Sequence, residues 1–221
     1  MSILIRLCGF LFLLIIVLSV SFEAFGNKII SDLDSGARLQ KINDDPKKFK
    51  ISVLLALIHN VSIIALVVML FIVFSPYNLI LGVVWTIFRI GESLILFYNE
   101  KNYWGLLNIA RQYSGTSGAE KNSLSDLART ILKTKEFRFN FAQILFSIGT
   151  IAYLIMFLTY GVVPPIIGWL GIVASILFGF GCGIILVKPN FKLPGYFGGL
   201  LVMLFEVLIG GWLLFFSPII P

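Results

Sequence analysis

Charged residues, histidine and cysteine are all scarce in this sequence. Only 13% of the 221 residues are Asp, Glu, Lys or Arg, and there are one histidine and two cysteines. The single histidine, His59, excludes a pair of axial haem ligands or a multi-histidine metal site within one chain. Cys8 and Cys182 lie in separate apolar stretches, which favours small buried thiols and no disulfide framework.

Motifs that carry catalysis or cofactor binding are also lacking. The sequence contains no glycine-rich phosphate loop, no serine nucleophile motif and no HExxH motif. We therefore expect a protein that is not an enzyme and that has no cofactor, no metal and no catalytic residue.

Long apolar runs dominate what is present. The chain is 58% hydrophobic with a mean hydropathy of +0.98, and a hydrocarbon core needs about 20 apolar residues per helical span. The runs are continuous rather than alternating, which favours helices over barrel strands. We predict an all-α, polytopic membrane protein, a six-transmembrane-helix bundle forming a single integral membrane domain over residues 1–221. The predicted spans are residues 3–22, 51–74, 79–98, 139–160, 166–187 and 193–216.

The first apolar run has an alternative interpretation as a signal peptide. Arg6 precedes it, and Ser19-Val20-Ser21 resembles a cleavage site. The run is longer than a typical signal-peptide core, and the charge pattern of the chain favours its retention as a span.

The basic residues predict the orientation of the chain. Of the 17 Lys and Arg residues, 15 lie in three connecting segments, at residues 23–50, 99–138 and 188–192, which six spans place on the same side. The positive-inside rule makes these loops cytoplasmic and puts both termini outside the cell membrane. The net charge of +6 is therefore explained by topology and by a lipid bilayer as partner, and not by nucleic acid.

The connecting segments contain helix start signals. Asp32, Asp34 and Ser35 are candidate starters of a short helix that ends near Asp45-Pro46. Ser123 and Asp126 have the spacing of a capping box. Leu124, Leu127, Ala128, Ile131 and Leu132 then follow at helical spacing. We predict a cytoplasmic amphipathic helix here, between spans three and four, that either lies on the inner leaflet or packs on the bundle.

Small residues recur every fourth position in span five. Gly171, Ser175, Gly179 and Gly183 form one face along which another helix can approach closely. We predict a helix-packing seam that is either intramolecular or a dimer interface. The dipeptides Pro164-Pro165 and Pro194-Gly195 are typical of turns, and they predict tight turns bounding this span and the next.

Away from their ends, the predicted spans contain four charged or titratable residues of interest: His59, Arg89, Glu92 and Glu206. A charge at the bilayer centre costs about 2.5–3.5 kcal/mol, so these side chains should face inward and find partners. At 1.5 Å per residue, Arg89 lies about 15 Å from the outer end of span three and Glu206 about 18 Å from the inner end of span six. Both are therefore expected near the middle of the bilayer. We predict a midplane polar cluster in which Arg89 pairs with Glu206, with Glu92 and His59 one layer closer to the cytoplasm.

The polar cluster admits two functions of different class. It fixes helix register in a structural or regulatory membrane component, which is the interpretation we favour because buried ion pairs commonly serve specificity. Alternatively, it is the site of a small-solute or proton-coupled transporter or channel, as intramembrane charges often are. A membrane-protein partner or a homo-oligomer is compatible with either function.

Five short segments resemble a known family. They are Arg6–Leu14, Ile42–Phe49, Phe88–Glu92, Val163–Gly171 and Glu206–Leu214. In this order they resemble a prokaryotic multi-pass membrane family described as domain of unknown function 4386. The resemblance implies an all-helical membrane protein and no particular activity.

Overall fold

The computed structural model describes residues 2–27 and 34–216 of the chain, and no strand occurs among them. The helices are α1 (Ser2–Phe22), α2 (Ser35–Asp44), α3 (Pro46–Phe74), α4 (Leu79–Trp104), α5 (Leu106–Gly115), α6 (Gly118–Thr159), α7 (Pro165–Val187) and α8 (Leu193–Phe215). A single π-helical segment, Glu23–Asn27, follows α1.

Six helical segments are long and apolar enough to cross a membrane: α1, α3, α4 with α5, α6, α7 and α8. The prediction of an all-helical membrane protein with six such helices is thereby confirmed. The helix of the third span is longer than predicted, because α4 continues past Tyr98 to Trp104.

The helix boundaries follow the local sequence signals. Asp34 caps α2, since its carboxylate accepts a hydrogen bond of 2.7 Å from the Ala37 amide. Asp45 ends α2, and Pro46 starts α3 because proline is tolerated in a first helical turn. Pro165 starts α7 for the same reason. The other candidate starter, Asp32, lies outside the described residues.

The prediction of a separate amphipathic helix beginning at Ser123 is wrong. Residues 124–132 are helical, but α6 begins at Gly118 and continues without a break into the fourth span. Gly118 has a φ of 62°, a left-handed conformation that glycine adopts at no steric cost, so the chain turns there. Ser123 is consequently inside a helix and caps nothing.

The described chain divides into two compact units. Unit 1 comprises residues 1–16, 61–95 and 140–221, and unit 2 comprises residues 17–60 and 96–139. Helices α1, α3, α4 and α6 contribute residues to both. The prediction of one membrane domain over the whole chain stays a prediction.

Unit 1 is a helical bundle with an aromatic core. Phe12 of α1, Trp85 of α4, Phe157 of α6 and Phe205 of α8 are all at most 1% exposed and belong to one cluster of buried residues. Helices α7 and α8 approach closely, since a Cβ on Gly198 would lie 2.5 Å from the Phe178 Cα. Close backbone contact of this kind is what holds helices together in lipid.

Unit 2 has its own smaller core. Leu39 and Ile42 of α2 pack with Leu106 and Ala110 of α5 and with Ala128 of α6. Ala128 is fully buried, so the part of α6 that was predicted to be amphipathic packs on protein here. This favours the second of the two placements considered for that segment.

The polarity of unit 1 is inverted relative to a water-soluble protein. Ile80 is 78% exposed and Ile166 is 79% exposed, whereas the charged Arg89 and Glu92 are 3% and 2% exposed. This arrangement is favourable in hydrocarbon, because exposed apolar side chains cost nothing there and exposed charges are costly.

Candidate functional site

One face of α4 carries polar side chains into the interior of unit 1. Trp85, Arg89, Glu92 and Ser93 recur at helical spacing and are all buried. On the opposite face, Ile87 is 64% exposed. The sequence therefore turns its polar stripe inward, as predicted from the cost of placing charge in lipid.

Arg89 and Glu92 form a buried ion pair within α4. Nη1 of Arg89 lies 2.9 Å from Oε2 of Glu92, three residues further along the same helix. Within the part of the chain that the structure describes, neither of these two atoms makes a hydrogen bond of good geometry. The pair is electrostatic, and both atoms keep unused hydrogen-bonding capacity.

Helix α6 receives the rest of the Arg89 side chain. The guanidinium carbon lies 4.4 Å from the centroid of the Phe146 ring, a cation–π contact. The aliphatic stem lies over Gly149, where an added Cβ would be 2.8 Å from Cγ of Arg89. Phe146 and Gly149 thus form a slot in α6 that admits an arginine stem and stacks its head group.

Glu206 approaches this site from α8 without joining the ion pair. The predicted direct pair between Arg89 and Glu206 is wrong: among the described residues, Arg89 forms its ion pair with Glu92. Glu206 is half-buried and still lies close enough for its charge to interact with both Arg89 and Glu92. We call Arg89, Glu92 and Glu206 the Arg89 centre.

The Tyr153 and Thr150 side chains complete the immediate surroundings on α6. Both residues are buried, at 3% and 0% exposure. The charges of all three residues of the Arg89 centre act on the Tyr153 hydroxyl, which lies beside the hydroxyl of Thr150. A phenol therefore borders the charged groups.

His59, the fourth residue of the predicted cluster, belongs to unit 2. Its ring packs edge-on against Phe22, with centroids 5.6 Å apart, and its Nδ1 lies 3.4 Å from Oδ1 of Asn60. Its membership of the polar cluster stays a prediction.

The Arg89 centre lies within a stretch that matches a protein family. A family model described as domain of unknown function (DUF4386) matches residues 7–216. The chain belongs to the DUF4386 family. No curated protein and no solved structure matches the chain. The family description assigns no activity, so the function must be inferred from the residues themselves.

The small-residue face of α7 in this DUF4386 protein packs within the chain along most of its length. A Cβ on Gly171 would lie 2.5 Å from the Phe205 ring, and one on Gly179 would lie 2.8 Å from Ser147. Ser175 is fully buried between them. Gly183 differs, because no neighbouring atom lies within 4 Å of where its Cβ would be. The seam is intramolecular from Gly171 to Gly179 and ends before Gly183.

Unit 2 contains a second set of buried polar residues, which the sequence patterns did not predict. Nζ of Lys135 lies 3.1 Å from Oε1 of Glu100 and 3.3 Å from the centroid of the Tyr103 ring. Nδ2 of Asn99 donates a hydrogen bond of 2.9 Å to the Lys135 carbonyl. These residues were assigned to a connecting loop. The signal that would have found them is the continuation of helical spacing from Glu92 through Leu96 to Asn99 and Tyr103.

Across residues 2–27 and 34–216, no three His, Cys, Asp or Glu side chains are grouped so that they could hold a metal ion. The chemistry that the Arg89 centre offers is that of fixed charges in an apolar setting: one guanidinium, two carboxylates and a neighbouring phenol.

Proposed function

We propose that this DUF4386 protein is a non-catalytic structural or regulatory component of the cytoplasmic membrane, in which Arg89 holds α4 in register against α6. One observation carries the proposal: the Arg89 side chain is almost completely buried, with its stem on Gly149, its head on Phe146 and Glu92 beside it. A side chain held in this way positions helices and is sealed from water.

The energetics support a role in register rather than in net stability. Buried ion pairs seldom add much stability, because desolvation offsets the attraction between the charges. A slip of α4 against α6 would, however, move the Arg89 and Glu92 side chains out of their slot toward hydrocarbon. Each charge exposed there costs about 2.5–3.5 kcal/mol, so one register is strongly preferred.

The alternative function, a small-solute or proton-coupled transporter or channel, has one observation in its favour. Several buried polar atoms make no hydrogen bond among the described residues, including Oγ of Ser93 and Oγ of Ser175. Such atoms are unusual in folded proteins and are often partnered by water or a ligand. A transporter would require that these atoms become reachable from water in some state.

We further propose a multi-pass arrangement in the cell membrane, with basic loops in the cytoplasm and both termini outside. The terminal residues themselves lie outside the described part of the chain. The lipid bilayer is the proposed partner of the exposed apolar helix faces. We propose that any regulatory role acts on a membrane-protein partner or on a second copy of the chain.

Cysteine accessibility tests the proposed role. In a chain with Cys8 and Cys182 replaced by Ala, Ser93→Cys should resist a charged thiol reagent applied to both membrane faces, because Ser93 is fully buried. Ser123→Cys is the matched control, since Ser123 is exposed on α6 and should be labelled rapidly. Labelling of Ser93→Cys at the rate of the control would contradict a sealed centre and favour the transporter.

A further inference from the structure

The Arg89 centre contains one more acidic group than basic group. Arg89 contributes one positive charge, and Glu92 and Glu206 together contribute two negative charges when ionised. The three groups interact electrostatically, and Glu92 lies nearest to the guanidinium, at 2.9 Å. With every group ionised, the centre carries a net charge of −1 in a setting that disfavours uncompensated charge.

In the described part of unit 1, the cations other than Arg89 are Arg6, Lys188 and Lys192, which lie near or beyond the ends of helices. On α6 the titratable neighbour is Tyr153, which is neutral when protonated. The unit 1 part of α3, residues 61–74, and the whole of α7 contain no Asp, Glu, Lys, Arg or His. On α1 the charged residue is Arg6, which is exposed near the start of the helix. The Phe146 ring covers one face of the guanidinium and carries no charge.

We propose that the Arg89 centre is a binding site for a single proton, held by either Glu92 or Glu206 while the other carboxylate pairs with Arg89. Binding transfers a proton from bulk water to one carboxylate oxygen, and the net charge of the centre changes from −1 to zero. This proposal goes beyond the structural role, since a register device needs no exchangeable proton.

Two features of the geometry fit a protonated carboxyl group better than a second carboxylate. Glu92 already neutralises the guanidinium, since its Oε2 lies 2.9 Å from Nη1 of Arg89. Glu206 forms no ion pair among the described residues, so an ionised Glu206 would add a second negative charge with no cation of its own.

Infrared difference spectroscopy of the full chain in lipid bilayers tests this proposal. The carbonyl stretch of one protonated carboxyl group per protein, at the frequency of an apolar setting, should appear as pH is lowered and disappear as it is raised. Glu206→Gln and Glu92→Gln should each abolish the band, because the remaining carboxylate then pairs with Arg89 and stays ionised. Glu120→Gln, at an exposed position, is the matched control and should leave the band unchanged.

A third variant tests the charge balance directly. Arg89→Gln leaves two carboxyl groups with no cation, so the band should double. If that variant does not fold, the two glutamate variants suffice to test the proposal. A band that survives in either glutamate variant, or the lack of any such band in the unmodified protein, would overturn the proposal. None of these measurements depends on stability, so they fail or succeed independently of the structural role.

Discussion

Arg89 is stabilised in the interior of unit 1 by contacts of three kinds from three neighbours. Glu92 supplies charge, Phe146 supplies an aromatic face, and Gly149 supplies space. The cost of charge in lipid predicts that Arg89, Glu92 and Glu206 face inward, but depth along the spans favours Glu206 as the partner of Arg89, which the structure does not show. The local pair prevails because residues three apart on a helix are already neighbours and need no tertiary arrangement to meet.

At the same scale, Lys135 and Glu100 should be energetically coupled. Both side chains are largely buried, at 19% and 10% exposure, with 3.1 Å between Nζ and Oε1. In a double-mutant cycle with Lys135→Met and Glu100→Gln, we expect a coupling free energy of about 0.5–3 kcal/mol in the free energy of unfolding in mixed micelles. Removing either partner alone leaves the other charge buried and unpaired.

The matched control for that cycle is the exposed pair of Arg129 and Asp126. Their side chains are 60% and 75% exposed and lie 3.8 Å apart, so their coupling should be at most about 0.5 kcal/mol. Equal coupling in the two cycles would show that burial does not strengthen the Lys135 pair.

Among the helices, the sequence predicts boundaries well where proline or aspartate marks them. Pro46, Pro165 and Asp34 each stand at the helix start that their chemistry favours. The prediction of a helix start fails for α6. Ser123 and Asp126 have the spacing of a capping box, but the residues on both sides of them are also compatible with helix, and the helix begins earlier, at Gly118. Which helix packs on the small residues of α7 could not be predicted either, since spacing identifies a face and not its partner.

Close packing of α7 against α8 gives a prediction at this scale. Gly198→Ala should lower stability by about 1–3 kcal/mol, because the new Cβ would meet the Phe178 backbone, which cannot rotate away. Thermal unfolding in detergent would measure it. Gly183→Ala is the control on α7: no neighbour lies within 4 Å of its Cβ position, so it should be tolerated. Equal effects of the two changes would contradict this packing.

At the scale of the whole molecule, the apolar spans account for only part of the chain. Helix α6 has 42 residues, which makes it about 63 Å long at 1.5 Å per residue, about twice the thickness of the hydrocarbon core. About half of it must therefore lie outside the hydrocarbon. The N-terminal half carries Lys121, Arg129 and Lys133, which suits that half to the aqueous side.

Membrane orientation is the prediction that belongs to this scale. In intact cells, with Cys8 and Cys182 replaced by Ala, an impermeant thiol reagent should label Thr159→Cys and spare Ser117→Cys. Both positions are exposed, Ser117 directly before α6 and Thr159 at its last residue. The basic residues cluster on the Ser117 side, which the positive-inside rule makes cytoplasmic. Permeabilised cells, in which both should react, provide the control. The reverse pattern in intact cells would invert the topology.

The central claim, that Arg89 holds α4 against α6 through the slot at Gly149, is tested most directly by a cycle between these two residues. In the unmodified protein, Gly149→Ala should cost about 1–3 kcal/mol of unfolding free energy, because its Cβ would lie 2.8 Å from Cγ of Arg89. In an Arg89→Ala background that clash is gone, and alanine is the better helix former by about 1 kcal/mol, so the same change should be neutral or stabilising. Gly211→Ala, which meets no neighbour within 4 Å, should behave alike in both backgrounds. An equal loss from Gly149→Ala with and without the arginine would show that the side chain does not lie in the slot and would contradict the account.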